Sequence, residues 1–323
     1  MRVISDKLIN AGVYVSVESL VKLSSTARRL SYFRARVVKQ QQAGSHHSRF
    51  KGRGMEFAEV RPYQAGDDVR SIDWRVTARK QSTHTKLFQE ERERPVVVIC
   101  DQSASMFFGS RGCLKSVLAA RCSALLSWSA YAHNDRVGGI IFNDQQLLTI
   151  KPGRNRKSIL QYINHVVALN NELSAETSAS APQLNRNQQF TLALKEACQV
   201  IKPGTLIFVI SDYHKLDATG ERHLNTLAKH NELVLLRCTD PLEKNLPTGG
   251  ALPVSDGDHT FYVRGQDEGA RKVLSNWDEA ITNRVEQLSR NRNVNAWELN
   301  TNLDFERQLA EISRQVSLGA SSR

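Results

Sequence analysis

From residue 94 onward the apolar positions alternate between short continuous runs and stripes at helical spacing. VVVIC (96–100) is too continuous for a strand with one wet face, which predicts a central strand covered on both sides. Leu114, Leu118, Cys122 and Leu125 follow at i, i+4, i+8 and i+11, the stripe of a helix packed on that sheet. RVGGIIF and QLLTI then predict strands, and RKSILQYINHVVAL a helix. NNELSAETSASAPQLNRNQ predicts a long exposed loop. FTLALKEACQVI is a helix, TLIFVISD and ELVLLRCTD are strands, and the remainder holds an FYVRG strand, a helix over EGARKVLSNWDEAITNRVEQLSR, an AWEL strand and a terminal helix over FERQLAEISRQV. Strands alternating with helices specify an α/β fold, a doubly wound, mainly parallel, Rossmann-like sheet.

Before residue 94 the pattern differs. Residues 1–45 predict an N-terminal helical segment ending near Ala43-Gly44, where glycine serves as a stop. Residues 46–93 predict a small β-rich module with strands in FAEVRPY, SIDWRVTAR and THTKLFQEE, joined by turn residues such as Gly66-Asp67-Asp68. Residues 94–323 form the α/β domain.

In open α/β sheets the functional crevice lies beyond the carboxyl ends of the central strands, where strand order reverses. Three strands end in acids: VVVIC at Asp101, LIFVIS at Asp212 and LLRCT at Asp240. If the first two are neighbours, their carboxylates repel unless a cation or a proton sits between them. Asp101, Ser103 and Ser105, spaced by two, can converge from one turn into an all-oxygen shell of the kind Mg²⁺ or Mn²⁺ accepts. The same residue types also serve as turn formers and helix caps, a purely structural alternative.

Composition narrows the class. The chain has 323 residues and 40% hydrophobic residues, enough for about two domains. Asp6, Lys7, Glu18 and Lys22 interrupt the apolar residues at the start, so neither a membrane span nor a signal peptide is expected and the protein is placed in the cytoplasm. Five cysteines without a CxxC pair predict core packing rather than disulfides or zinc. Trp128, Trp277 and Trp297 are read as core residues, and His46-His47 as a solvated loop. The net charge of +11 is uneven, with nine Lys and Arg against two Asp and Glu in residues 1–50. No helix-turn-helix, RNP or zinc-finger pattern accompanies it, so nucleic acid is not the expected partner.

In the β-rich module, Arg61, Asp67, Asp68, Arg70, Asp73 and Arg79 alternate in sign around Tyr63 and Trp74. Arg–carboxylate pairs there form a structural network floored by Ile72 and Trp74, or else a surface on which a partner docks.

The DxSxS turn with a later strand ending in Asp212 resembles the metal-ion-dependent adhesion site of von Willebrand factor A domains. More specifically, GRGMEFAEVRPYQAGDDVRSIDWRVTARK, followed by KLFQEERERPVVVICDQSASM, ISDYH and DPLEKNLP, resembles the domain-of-unknown-function 58 family, over residues from about 50 to 255. The resemblance implies a von Willebrand factor A-like sheet and a Mg²⁺ site of Asp101, Ser103, Ser105 and Asp212. It expects a further ligand from a threonine at the start of the helix that precedes the strand ending in Asp212. Here Gln188 stands at that point in NQQFTLALKEA, and Thr191 lies one turn on. The resemblance also implies a MoxR-type AAA+ ATPase and other von Willebrand factor A proteins as partners.

The function expected is thus a non-enzymatic protein-interaction module acting in assembly, maturation or stress-related remodelling of other proteins. One alternative is a metal-dependent phosphatase or phosphotransferase using Asp101 as nucleophile, although Ser103 occupies the place where such an enzyme carries a second aspartate. No GxSxG, Walker A or HExxH motif is present. The other alternative is a basic nucleic-acid-associated protein.

Overall fold

The apolar run before Asp101 becomes the strand that divides the core in two. In a computed structural model, which describes residues 12–28, 55–64, 66–90, 94–173, 188–244, 251–255, 260–264 and 267–319, it is β3, Pro95–Asp101. Val96, Val98 and Cys100 face one hydrophobic core, and Val97 and Ile99 face the other. This two-sided burial is the physical reason the run does not alternate with polar residues.

Five more strands complete the sheet: β4 (Arg136–Phe142), β5 (Leu147–Gly153), β6 (Leu206–Ser211), β7 (Glu232–Thr239) and β10 (Val294–Asn300). Their order is β10-β7-β6-β3-β4-β5. Every neighbouring pair is parallel except β4 with β5, which run antiparallel. From β3 the chain proceeds outward through β4 and β5, then returns to place β6 on the other side of β3. The order therefore reverses between β3 and β6.

Helices α3 (Lys115–Ala132) and α4 (Arg156–Asn171), with α1 (Val17–Ala27) and α9 (Phe305–Gly319), cover one face. Helices α5 (Gln189–Val200), α6 (Ala218–Ala228) and α8 (Glu268–Ser289) cover the other. Helix α3 is buried over most of its length rather than along one stripe, because α1, α4 and the sheet enclose it. Close approach of α4 to β4 depends on Gly139, where an added Cβ would lie 2.2 Å from the Tyr162 ring.

The chain divides into two units, Met1–Val37 together with Arg94–Arg323, and Val38–Glu93. Helix α1 thus belongs to the α/β unit and is not a segment of its own. The Tyr14 hydroxyl donates to Leu173 O at 2.8 Å, Val15 N to Asn170 Oδ1 at 2.9 Å, and Trp128 Nε1 to Leu20 O at 3.1 Å. These bonds satisfy polar groups that burial would otherwise leave unpaired.

In the smaller unit, β1 (Met55–Pro62) and β2 (His84–Glu90) pair antiparallel with a register shift between Phe57 and Glu59. SIDWRVTAR, expected as a strand, instead gives α2, Trp74–Lys80. The Asp73 carboxylate accepts from Arg75 N and Val76 N, so an N-cap outweighs the alternation of Ile72, Trp74 and Val76. A second hairpin, β8 (Ala251–Ser255) with β9 (Thr260–Arg264), belongs to the α/β unit, and the short helix α7 (Pro241–Lys244) follows β7. No helix among the described residues is long and apolar enough to cross a membrane. Most of the expected loop between α4 and α5, and His46-His47, lie outside the described residues.

Candidate functional site at the carboxyl end of the sheet

Loops after four parallel strands converge where the order reverses. Asp101 ends β3, Asn143 and Asp144 follow β4, Asp212 follows β6, and Asp240 follows β7. Asp101, Ser103 and Asp212 are each 1% exposed. Asp101 Oδ1 accepts from Ser103 N at 2.8 Å, and Asp101 Oδ2 accepts from the Ser211 hydroxyl at 2.6 Å. The hydroxyl oxygens of Ser103 and Ser105 lie 3.3 Å apart. The structure therefore brings Asp101, Ser103, Ser105 and Asp212 to one crevice, as the two-residue spacing leads one to expect.

Five side chains not foreseen from the sequence complete the crevice. Lys115, the first residue of α3 and 1% exposed, donates to Asp212 Oδ2 at 2.9 Å and to Glu243 Oε1 at 2.6 Å. His214 N donates to Asp212 Oδ1 at 3.1 Å, and His214 Nδ1 lies 3.2 Å from Asp212 Oδ2. Asp144 accepts from Ala104 N at 2.8 Å and pairs with Lys215. The turn that returns His214 to Asp212 passes through Tyr213 at φ 62°, a left-handed conformation that costs a non-glycine residue about 1–2 kcal/mol. Its buried ring, with the hydroxyl donating to Val209 O at 2.8 Å, holds that conformation in place.

Charge is distributed unequally over the two aspartates. Burial first, and then the negative charge of Asp212, push the Asp101 carboxyl up to about 6. Burial opposes the charge on Asp212 too, but the Lys115 ammonium outweighs it and holds that carboxyl well below the usual range. Burial likewise disfavours the Lys115 charge, and Asp212 and Glu243 reverse the effect, so its pKa is raised. Burial pushes His214 down, toward the neutral imidazole.

The six residues expected to hold a metal are not all gathered. Mg²⁺ takes oxygen ligands at about 2.0–2.1 Å in an octahedron, which places adjacent ligands about 3 Å apart. Ser103 and Ser105 meet that spacing. Thr191 does not take part: its hydroxyl donates to Asp217 Oδ1 at 2.8 Å, and Asp217 caps α6. Gln188 is exposed at the start of α5. Asp212 Oδ2 is already taken by the Lys115 ammonium. No group of three or more His, Cys, Asp or Glu side chains among the described residues is arranged to hold a metal ion. With the Lys115 ammonium on Asp212, the residues present do not fit the expected octahedral site.

Trp277, read as core from its place on the α8 stripe, is 48% exposed and packs against His214 with ring centroids 4.2 Å apart and the rings tilted by 39°. The stripe continues beyond the core: Ile281, Val285 and Leu288 are buried, but Val273 is 68% exposed. Trp128 is buried as expected, and all five cysteines are free. A cavity of about 760 Å³ lies elsewhere, lined by Arg28, Trp128, Tyr131, His133, Arg154 and Arg156 among others, and contains none of the predicted site residues.

In the smaller unit, Arg61 donates to Asp67 Oδ1 at 2.7 Å and the Tyr63 hydroxyl to Asp67 O at 3.2 Å. Asp68 caps a 3-10 turn at Val69–Ser71, and Asp73 caps α2. These five residues stitch their own unit together. Arg70, Trp74 and Arg79 are exposed, and Trp74, at 68%, is not the apolar floor expected of it.

Comparison with known families matches residues 59–282 to the model described as "Protein of unknown function DUF58". Uncharacterized proteins of Mycobacterium tuberculosis and Mycobacterium bovis are each 27% identical to this chain over 215 residues, covering 67% of it and 64% of their own length. The chain thus spans about 64% of the length of the curated relatives it matches.

Proposed function

The chain belongs to the DUF58 family, and we propose that it is a non-enzymatic protein-interaction module whose strand-end crevice and rim engage a partner. The observation that carries this reading is the contrast between a sealed floor and an aromatic rim. Asp101 has both carboxylate oxygens occupied and is 1% exposed, whereas Trp277 offers 48% of its surface beside His214. A nucleophilic aspartate needs an approach path and a neighbouring general acid. Exposed tryptophan beside fixed polar groups is what interface anchors look like.

The reversal between β3 and β6 and the single antiparallel edge strand support a von Willebrand factor A-like version of the fold. With the sequence resemblance, that supports a MoxR-type AAA+ ATPase as partner, together with other von Willebrand factor A proteins. The module then serves assembly, maturation or stress-related remodelling of further proteins in the cytoplasm. Partner engagement in this proposal does not require Mg²⁺.

Capture of the cognate MoxR-type ATPase by the tagged chain tests the reading. Wild type retains the ATPase and Trp277→Ala loses it; absence of capture, or equal capture by both, overturns the proposal. Phosphate-ester turnover by wild type that disappears in Asp101→Ala favours the enzymatic alternative instead.

A second reading, nucleic-acid association, is favoured by the cavity bordered by Arg28, Arg154 and Arg156. It requires oligonucleotide binding that weakens steeply with salt and falls in Arg28→Ala/Arg156→Ala.

A further inference from the structure

Two acids, Asp212 and Glu243, meet at the crevice beside Asp101, and a cation has to offset them. The chain carries that cation itself. An ammonium has three donor hydrogens, and Lys115 directs its group at Asp212 Oδ2, 2.9 Å away, and Glu243 Oε1, 2.6 Å away. The ring of Phe108 lies 5.7 Å from the nitrogen. Both oxygens of Asp212 are then committed, one to His214 N and the other to Lys115.

We propose that Lys115 is a built-in replacement for a divalent cation, which makes the strand-end crevice metal-independent. The ammonium joins the loop after β6 to the loop after β7 across the start of α3, the joining role a bound metal would otherwise have. A divalent ion approaching Asp212 meets a like charge that has no route into water, because the Lys115 side chain is 1% exposed. At short range and away from solvent such repulsion is screened little. Thr191 cannot compensate while its hydroxyl is given to Asp217.

A consequence follows for recognition, and it rests on the interaction-module reading. A metal with an open coordination position attracts a partner's carboxylate, but an ammonium already held by two carboxylates does not. The partner is therefore gripped by the rim, with Trp277 at its centre, and chelators leave the grip intact.

Mn²⁺ is the probe. Its free-ion electron paramagnetic resonance signal is recorded with the full chain as wild type, Lys115→Met and Lys115→Met/Ser103→Ala/Ser105→Ala. Wild type leaves the signal unchanged. Lys115→Met takes up one Mn²⁺ per chain and gains about 5–10 °C in thermal midpoint at Mn²⁺ roughly a hundred-fold above its dissociation constant. The triple variant loses both effects. If Lys115→Met does not fold, Lys115→Met/Glu243→Gln, which removes one of the stranded carboxylates, is measured in its place. Uptake of one Mn²⁺ by wild type that vanishes in Ser103→Ala/Ser105→Ala overturns the proposal, as does a folded Lys115 variant without uptake. ATPase capture that fails with and without chelator sinks the partner reading alone, since the Mn²⁺ measurement involves no partner.

Discussion

Ser211 gives its hydroxyl hydrogen to Asp101 Oδ2 at 2.6 Å, joining the ends of β6 and β3 at the point where the strand order reverses. The bond supports the charged form of Asp101, while burial and the nearby Asp212 oppose it more strongly, and the carboxyl ends at about 6.

Protonation of Asp101 is thereby linked to stability. Between the unfolded value of 3.8 and the folded value of about 6, the native state holds more protons than the unfolded one. This contribution is fully present below the unfolded value and is lost as pH rises through the folded value. Relative to Asp101→Asn, wild type loses about 3 kcal/mol between about pH 4 and pH 6, at roughly 1.4 kcal/mol per pKa unit. Urea midpoints of both proteins across that range measure the difference, and parallel profiles refute it.

Removing the Lys115 ammonium strands two carboxylates. Lys115→Ala costs about 3–5 kcal/mol, the usual penalty for breaking a buried ion pair by removing one partner. Denaturant unfolding reads the loss, and a change below about 1 kcal/mol would mean that water already shares the site.

Asn170 links the N-terminal helix to the residue beside Asp101. It accepts from Val15 N at 2.9 Å and donates to Gln102 Oε1 at 2.9 Å, while Gln102 donates to Ser116 O at 3.0 Å. Asn170→Ala orphans a buried donor and a buried acceptor, at about 2–4 kcal/mol. Limited proteolysis is expected to cut first near α1 in this variant.

Thr191→Val removes a hydroxyl from the Asp217 cap. The expected loss is about 0.5–1 kcal/mol, near the weak end for capping bonds. Mn²⁺ uptake by the Lys115→Met background is expected to stay unchanged, and a loss of uptake would return Thr191 to the ligand set.

Sequence pattern alone identified the strand alternation and the DxSxS turn, because continuous apolar runs and two-residue spacing are local signals. Lys115 was missed, although it falls in register with Leu118 and Cys122 at i, i+3 and i+7 of a buried helix. A lysine among apolar residues at that register needs an acidic partner, but no local rule identifies Asp212 or Glu243, 97 and 128 residues away. In SIDWRVTAR alternation misled, and the Asp73 cap was the stronger signal. Trp277 lies on the same stripe as Ile281 and Val285; only the reach of the core determines that the stripe runs out before it.

Helix α1 is synthesised before the partners it packs against. The bond from Val15 to Asn170 spans 155 residues, so at about 5–20 residues per second the helix waits roughly 8–30 s before its acceptor is synthesised. Until then Leu20 and Ala27, both 0% exposed in the finished fold, have no core to enter. The nascent chain carries that apolar face unprotected while the whole smaller unit is made, a window in which a chaperone has reason to hold it.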